Sequence, residues 1–168
     1  MRRILSFALV LLFCIAASGC TLLGLEKHTN TVPDSLGEEK VFTCEGLTIT
    51  LTDQFQEQKS QMGFDGYYAS AFSGVMVKAE PFSLEEGLEN ETLAEYIGNV
   101  IENNGEDAAP EEKEGLVFYR YNNGGNAGWN YAFKGTDAFY LVQFICREDH
   151  ASELEDFFFN AAKSIAVK

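Results

Sequence analysis

The segment "GLVFYRYNNGGNAGWNYAFKGTDAFYLVQFIC", residues 115–146, decides the fold. It contains three stretches, "GLVFYRY", "GWNYAFK" and "DAFYLVQFIC", that read by alternation rather than by helical spacing. Alternation is the mark of a strand, because successive side chains leave opposite faces. The connections "NNGGNA" and "GT" are rich in residues that accept positive φ, so both read as hairpin turns. Three strands joined by two hairpins make an antiparallel meander.

Two helices flank it. Upstream, Thr92 and Glu95 have the spacing of a capping box, Leu93, Ile97, Val100 and Ile101 form one apolar face, and Gly105 ends the segment. Downstream, Ser152 and Glu155 have the same spacing, ahead of a stripe of Leu154, Phe157, Phe158, Ala161 and Ile165. Further upstream, "VFTCEGLTITL" (41–51) reads as two short strands about Glu45-Gly46, with Leu47, Ile49 and Leu51 on one face. "GYYASAFSGVMVKAEPF" (66–82) gives extended segments broken near Ser73-Gly74, with Pro81 at an end or an edge. "EDAAPEEKEG" (106–115) reads as an acidic loop. Segregated elements of this kind predict an α+β domain, an antiparallel sheet packed by helices.

The N-terminus carries an address. Arg2 and Arg3 precede an uncharged, mainly apolar run, and Ala17, Ser18 and Gly19 lead into Cys20. This is the three-part layout of an export signal. A cysteine directly after small residues resembles the lipobox of bacterial lipoproteins, although Ala17 stands where leucine is usual. That resemblance implies cleavage between Gly19 and Cys20 and acylation of the new N-terminal thiol. The alternative is an uncleaved anchor, since about 20 apolar residues cross a bilayer. Either way the two arginines stay inside and the remainder is exported to the outer side of the cell membrane. On this reading residues 1–19 are a signal peptide, 20–40 a lipidated cysteine and flexible tether, and 41–168 one domain. The tether reaches roughly 25 Å, and His28 within it is a solvated linker residue.

Loss of residues 1–19 removes two arginines and no acid, leaving 10 Lys+Arg against 26 Asp+Glu and a side-chain balance of −16. Such a surface repels phosphate backbones and anionic lipid, which excludes nucleic acid as a partner and holds the domain off the bilayer. A basic partner is compatible with it. Of the four cysteines, Cys14 falls in the signal and Cys20 carries the lipid, so Cys44 and Cys146 remain as a pair in an exported protein. They either form a disulfide between neighbouring strands or pack as small apolar residues.

"FTCEGLTITLTDQF" (42–55), "DAFYLVQFIC" (137–146) and "FFFNAAKSIAV" (157–167) resemble the opening strand pair, last strand and last helix of PsbP-like proteins. Thr52 and Asp53 replace the proline region usual there. The resemblance spans almost the whole domain and implies an antiparallel sheet sandwiched by helices. The group includes an extrinsic photosystem protein, a Ran-binding eukaryotic branch, effector chaperones and many bacterial lipoproteins. Its members mostly bind other proteins, and it offers no shared catalytic set to carry over.

The remaining constellations are thin. Cys146 and His150 lie four apart, but His150 is the one histidine of the domain and precedes a helix, so a core cysteine with a surface histidine is expected. No serine stands in a Gly-x-Ser-x-Gly elbow, the acids at 85–95 and 106–114 are explained by solubility and the helix dipole rather than as a glycosidase pair, and those of "GEDAAPEEKEG" (105–115) lack the alternating spacing of a calcium loop. Trp129 and Tyr131, with Phe133, share one side of a strand and either pack beneath a helix or form an aromatic platform. The expected function is therefore that of a protein-binding or envelope-assembly module without catalysis, metal or cofactor. The alternative is a lipoprotein that captures a small ligand or carbohydrate. Replacing Cys20 by Ala is expected to leave an unprocessed, unlipidated precursor, read by mass and by metabolic labelling with palmitate. A wild-type protein of precursor size with no lipid would contradict this.

Overall fold

The computed structural model describes residues 32–33, 36–59 and 63–168. The expected export signal, Gly19, Cys20 and His28 lie outside the described residues. In chain order the strands are β1 (Glu39–Cys44), β2 (Leu47–Thr52), β3 (Gln56–Glu57), β4 (Gly66–Ala69), β5 (Ser73–Pro81), β6 (Glu111–Lys113), β7 (Leu116–Asn123), β8 (Asn126–Lys134), β9 (Ala138–Arg147) and β10 (Ala166–Val167). Helix α1 (Leu93–Asn104) precedes β6, and α2 (Ala151–Lys163) follows β9. Among the described residues no helix is long and apolar enough to cross a membrane.

The meander forms as its sequence requires. Gly124 and Gly125 take φ of 61° and 85°, the left-handed pair that lets Asn123 and Asn126 close β7 onto β8. Strand β9 then pairs with β8 on one edge and with β5 on the other, from Ser73↔Cys146 to Pro81↔Ala138. The result is a seven-stranded antiparallel sheet in the order β3-β4-β5-β9-β8-β7-β6. A second sheet, β1-β2-β10, forms separately.

One helix covers each face of the large sheet, and the small sheet joins α2. On the α2 side, Val75, Val77, Phe118, Trp129, Tyr131, Tyr140, Val142 and Phe144 meet Leu47, Ile49 and Leu51 of β2 and Leu154, Phe158 and Ala162 of α2. Phe158 sits between Trp129 and Phe144 with ring centroids 5.2 Å from each. Burying one such ring contributes about 2–3 kcal/mol. On the α1 side, Tyr96, Ile97 and Ile101 pack on Tyr119, Ala132, Phe139 and Leu141, and Tyr96 stacks on Phe139 at 4.3 Å. This is the α+β sandwich expected from the sequence.

Several local expectations hold. Thr92 and Glu95 form the reciprocal capping box of α1, and Gly105 ends the helix at φ 65°. The β1–β2 turn places Glu45 at φ 46°, an unfavoured region for a residue with a Cβ, and the Tyr140 hydroxyl donates to its carbonyl at 2.9 Å.

Others are corrected. The break in 66–82 falls at residues 70–72, where the Ser70 hydroxyl accepts from the amides of Phe72 and Ser73, and Ser73-Gly74 lies inside β5. The acidic stretch is not wholly loop, since Glu111–Lys113 adds edge strand β6. Ser152 is not an N-cap. A 3-10 turn, Glu148–His150, leads into α2 one residue earlier, and no side chain caps it. Thr92→Ala is therefore expected to lower stability by about 1 kcal/mol, and Ser152→Ala to leave it unchanged or raise it slightly. Urea midpoints of the two variants check both.

Candidate functional site

The two faces of the sheet differ in chemistry. The α2 side is an unbroken aromatic and aliphatic core. The α1 side carries a polar row at mid-sheet: Tyr119, Asn130, Gln143, Met76 and Tyr67 are successive cross-strand partners on β7, β8, β9, β5 and β4. Asn130 and Gln143, both buried, interrupt the apolar surface. To one side of them lies the cluster under α1; to the other lie Tyr67, Ala69, Met76 and Ile145, a separate cluster to which α1 contributes nothing.

The row is only partly satisfied. Asn104, in the last turn of α1, donates through Nδ2 to the Tyr119 hydroxyl at 3.4 Å, and burial pushes that phenol up to about 12. Gln143 Nε2 donates to the Tyr121 hydroxyl at 2.8 Å. Tyr119 also senses Asn130, yet Asn130 Nδ2 makes no bond of ordinary geometry. Among the described residues the Tyr67 hydroxyl has no hydrogen-bond partner, and Asn130 Nδ2 has none beyond its loose approach to Tyr119. A buried donor without an acceptor costs about 1–3 kcal/mol.

Outside this row the α1 layer is strongly acidic. Residues 82–107 hold eight Asp or Glu and no Lys or Arg. Lys134 clamps the layer, donating to the carbonyls of Glu89 and Glu91 at 2.6 and 2.8 Å. On the opposite side Glu111 pairs with Arg120, which also reaches Glu155 of α2, and Glu114 pairs with Lys163 of α2. Burial raises the carboxyls of Glu91 and Glu106. Glu85, Glu86 and Glu89 are exposed beside Leu84, which is 71% exposed.

The sequence-derived candidates fare differently. Trp129 and Tyr131 are not a platform: they are 5% and 1% exposed and lie beneath α2, as alternation on a sheet covered on that side demands. Cys44 and Cys146 are both free thiols. Cys44 packs over Gly66, where an added Cβ would meet its Sγ at 2.7 Å. Gly66 pairs with Val77, four positions along β5 from Ser73, the partner of Cys146. That offset is about 13 Å, beyond the ~7 Å limit between Cα atoms for a disulfide. The sequence showed that both cysteines end strands, but not that β1 joins β2 rather than the large sheet.

His150 is also not at the surface. It is buried with its ring edge-on to Phe72 at 5.8 Å, and Phe72 packs against the same core cluster that holds Cys146. Among the described residues no three His, Cys, Asp or Glu side chains gather as metal ligands. The asparagine–glutamine row was missed by sequence reading. Its signal was present as one polar residue inside each of two otherwise apolar strands, "WNYAF" and "LVQFI".

No protein-family model and no curated protein matches the chain. Solved structures do. The solution structure of cyanobacterial PsbP (CyanoP) from Synechocystis sp. PCC 6803 superposes with a TM-score of 0.50 at 12% identity, over 84% of this chain and 99% of that one. The Ran-binding protein Mog1p of Saccharomyces cerevisiae gives 0.48 at 10% identity, over 78% and 96%. A Bacteroides thetaiotaomicron protein gives 0.49 at 8%, over 79% and 48%. The fold is PsbP-like.

Burial raises the Cys44 thiol to about 11, with Asp65, Glu45 and Glu57 adding to the shift, and the Cys146 thiol to about 12. Since the thiolate is the reactive form, both should be inert near neutrality. Two free thiols are expected by mass in unfolded, unreduced protein. Alkylation of native Cys44 should rise steadily from pH 8 to 10, with no plateau near the ordinary cysteine value of ~8.5.

Proposed function

We propose that this chain is a lipid-anchored extracytoplasmic module that binds a basic protein partner through its α1 layer and catalyses no reaction. The observation that carries this is the charge of residues 82–107, eight acids and no lysine or arginine, on the layer that also exposes Leu84. Like charges crowded on one layer repel one another, and a cationic partner relieves that repulsion. Complementary fields steer association and raise its rate more than they deepen affinity. Leu84 supplies an apolar anchor within the charged rim.

The groups that could have served as nucleophile or base support a non-catalytic reading. Cys146 is sealed in the core with a raised pKa, Cys44 likewise holds its proton, and His150 is buried against Phe72. The anchor is proposed at Cys20, with residues 20–40 as the tether that holds an acidic domain clear of anionic lipid.

The test is proximity crosslinking in the intact envelope with wild type and with Glu85→Lys/Glu86→Lys. The expected outcome is one basic protein captured by wild type, lost in the reversed variant and released by salt over a few hundred millimolar. Equal capture by both chains would contradict the assigned surface. A captured partner of acidic charge would contradict its chemistry.

A further inference from the structure

The sequence contains two Asn-Gly pairs, Asn104-Gly105 at the end of α1 and Asn123-Gly124 at the tip of the β7–β8 hairpin. Asparagine before glycine is chemically self-reactive, because the glycine nitrogen can approach the side-chain amide carbon with no Cβ in the way. By sequence the two pairs are alike. The fold separates them.

At the first pair both reacting groups are held. The Gly105 amide donates to the carbonyls of Glu102 and Ile101, closing the last turn of α1, and Asn104 Nδ2 donates to the Tyr119 hydroxyl at 3.4 Å. Attack there requires the helix end to unwind and the side chain to leave Tyr119. The second pair is looser. Asn123 is exposed, and Asn123↔Asn126 is the last pair of the β7–β8 ladder. The Glu148 amide ties the turn at the Gly125 carbonyl, at 2.9 Å, and leaves the Gly124 nitrogen untouched. A hairpin tip of this kind opens at low cost. Gly105 and Gly124 both stand in open space, so hydrogen bonding rather than crowding distinguishes the two sites. Asn122, Asn126 and Asn130 precede Asn123, Ala127 and Tyr131, each with a Cβ beside the attacking nitrogen.

We propose that Asn123 forms a succinimide spontaneously in the folded protein, turning the β7–β8 tip into an aspartate or isoaspartate turn. The Gly124 nitrogen bonds to Asn123 Cγ and gives up its proton; the Cγ–Nδ2 bond breaks, and Nδ2 leaves as ammonia with that proton. Water then opens the ring. Cleavage at Cγ gives aspartate, and cleavage at the main-chain carbonyl carbon routes the backbone through Cγ and gives isoaspartate. Water is the sole co-reactant. Either product adds a negative charge to an already acidic chain. Isoaspartate also lengthens β7 by one backbone carbon where it closes onto β8, which loosens the Asn123↔Asn126 pair. Neither step involves the α1 layer or a protein partner.

The experiment holds the mature protein, folded or unfolded in guanidinium, at pH 8 in heavy-oxygen water. Peptide mass and fragmentation then locate the heavy oxygen that each conversion leaves in the new carboxyl. In the folded protein residue 123 is expected to take up label at least about ten-fold faster than residue 104, the gap between a fraying tip and an opened helix end. In guanidinium the two rates should converge. Gly124→Asp keeps a residue that this turn accepts and sets a Cβ beside the attacking nitrogen, so most of the label at 123 should be lost. Absence of label at 123 in the folded protein, over the time in which the unfolded chain converts, would overturn the proposal. So would equal labelling of 104 and 123 in the folded state, or undiminished labelling of 123 in folded Gly124→Asp.

Discussion

Strand β9 is the constraint on which the rest of the molecule depends. Every residue from Ala138 to Cys146 is buried, and the strand is paired along its length on both edges. Its alternate side chains seed both cores, Tyr140, Val142, Phe144 and Cys146 on one side and Phe139, Leu141 and Ile145 on the other. A one-residue slip would exchange these sets and place Gln143 in the aromatic core, where nothing could satisfy it. The register is thus held by the two-sided burial of a single strand.

The two layers built on that strand differ in permanence. The α2 side locks together two sheets, a helix and the C-terminus: the Tyr140 hydroxyl reaches the β1–β2 turn, and the Lys168 amide donates to the Gly46 carbonyl. The α1 side is a lighter cover. Its helix packs on Tyr119, Ala132, Phe139 and Leu141, and its ends depend on a capping box, a glycine and the Lys134 clamp. Its crowded acidic charge weakens its hold. The same face of the sheet carries the buried polar row of Tyr119, Asn130 and Gln143.

What could be read from the sequence was whatever local physics decides alone. The meander announced itself through alternation and one Asn-Gly turn, and α1 through Thr92, Glu95 and Gly105. The misreadings occur where distant parts decide. Ser152 has the spacing of a cap, but the 3-10 turn at Glu148–His150 starts the helix before it. Cys44 and Cys146 both end strands, but β1 pairs outside the large sheet. Strands β3, β6 and β10 have two or three residues each and exist only because a longer strand offers an edge. The polar row needed the register of five strands before its members could be seen as neighbours.

Native-state hydrogen exchange on the mature protein tests the central claim, that β9 is the spine and α1 the lighter layer. The account predicts that amides of β9 and of its partners β5 and β8 exchange only through global unfolding. Those of α2 should follow closely, and those of α1 should exchange through a separate opening of lower free energy. Protection in α1 equal to or greater than that in β9 would contradict it.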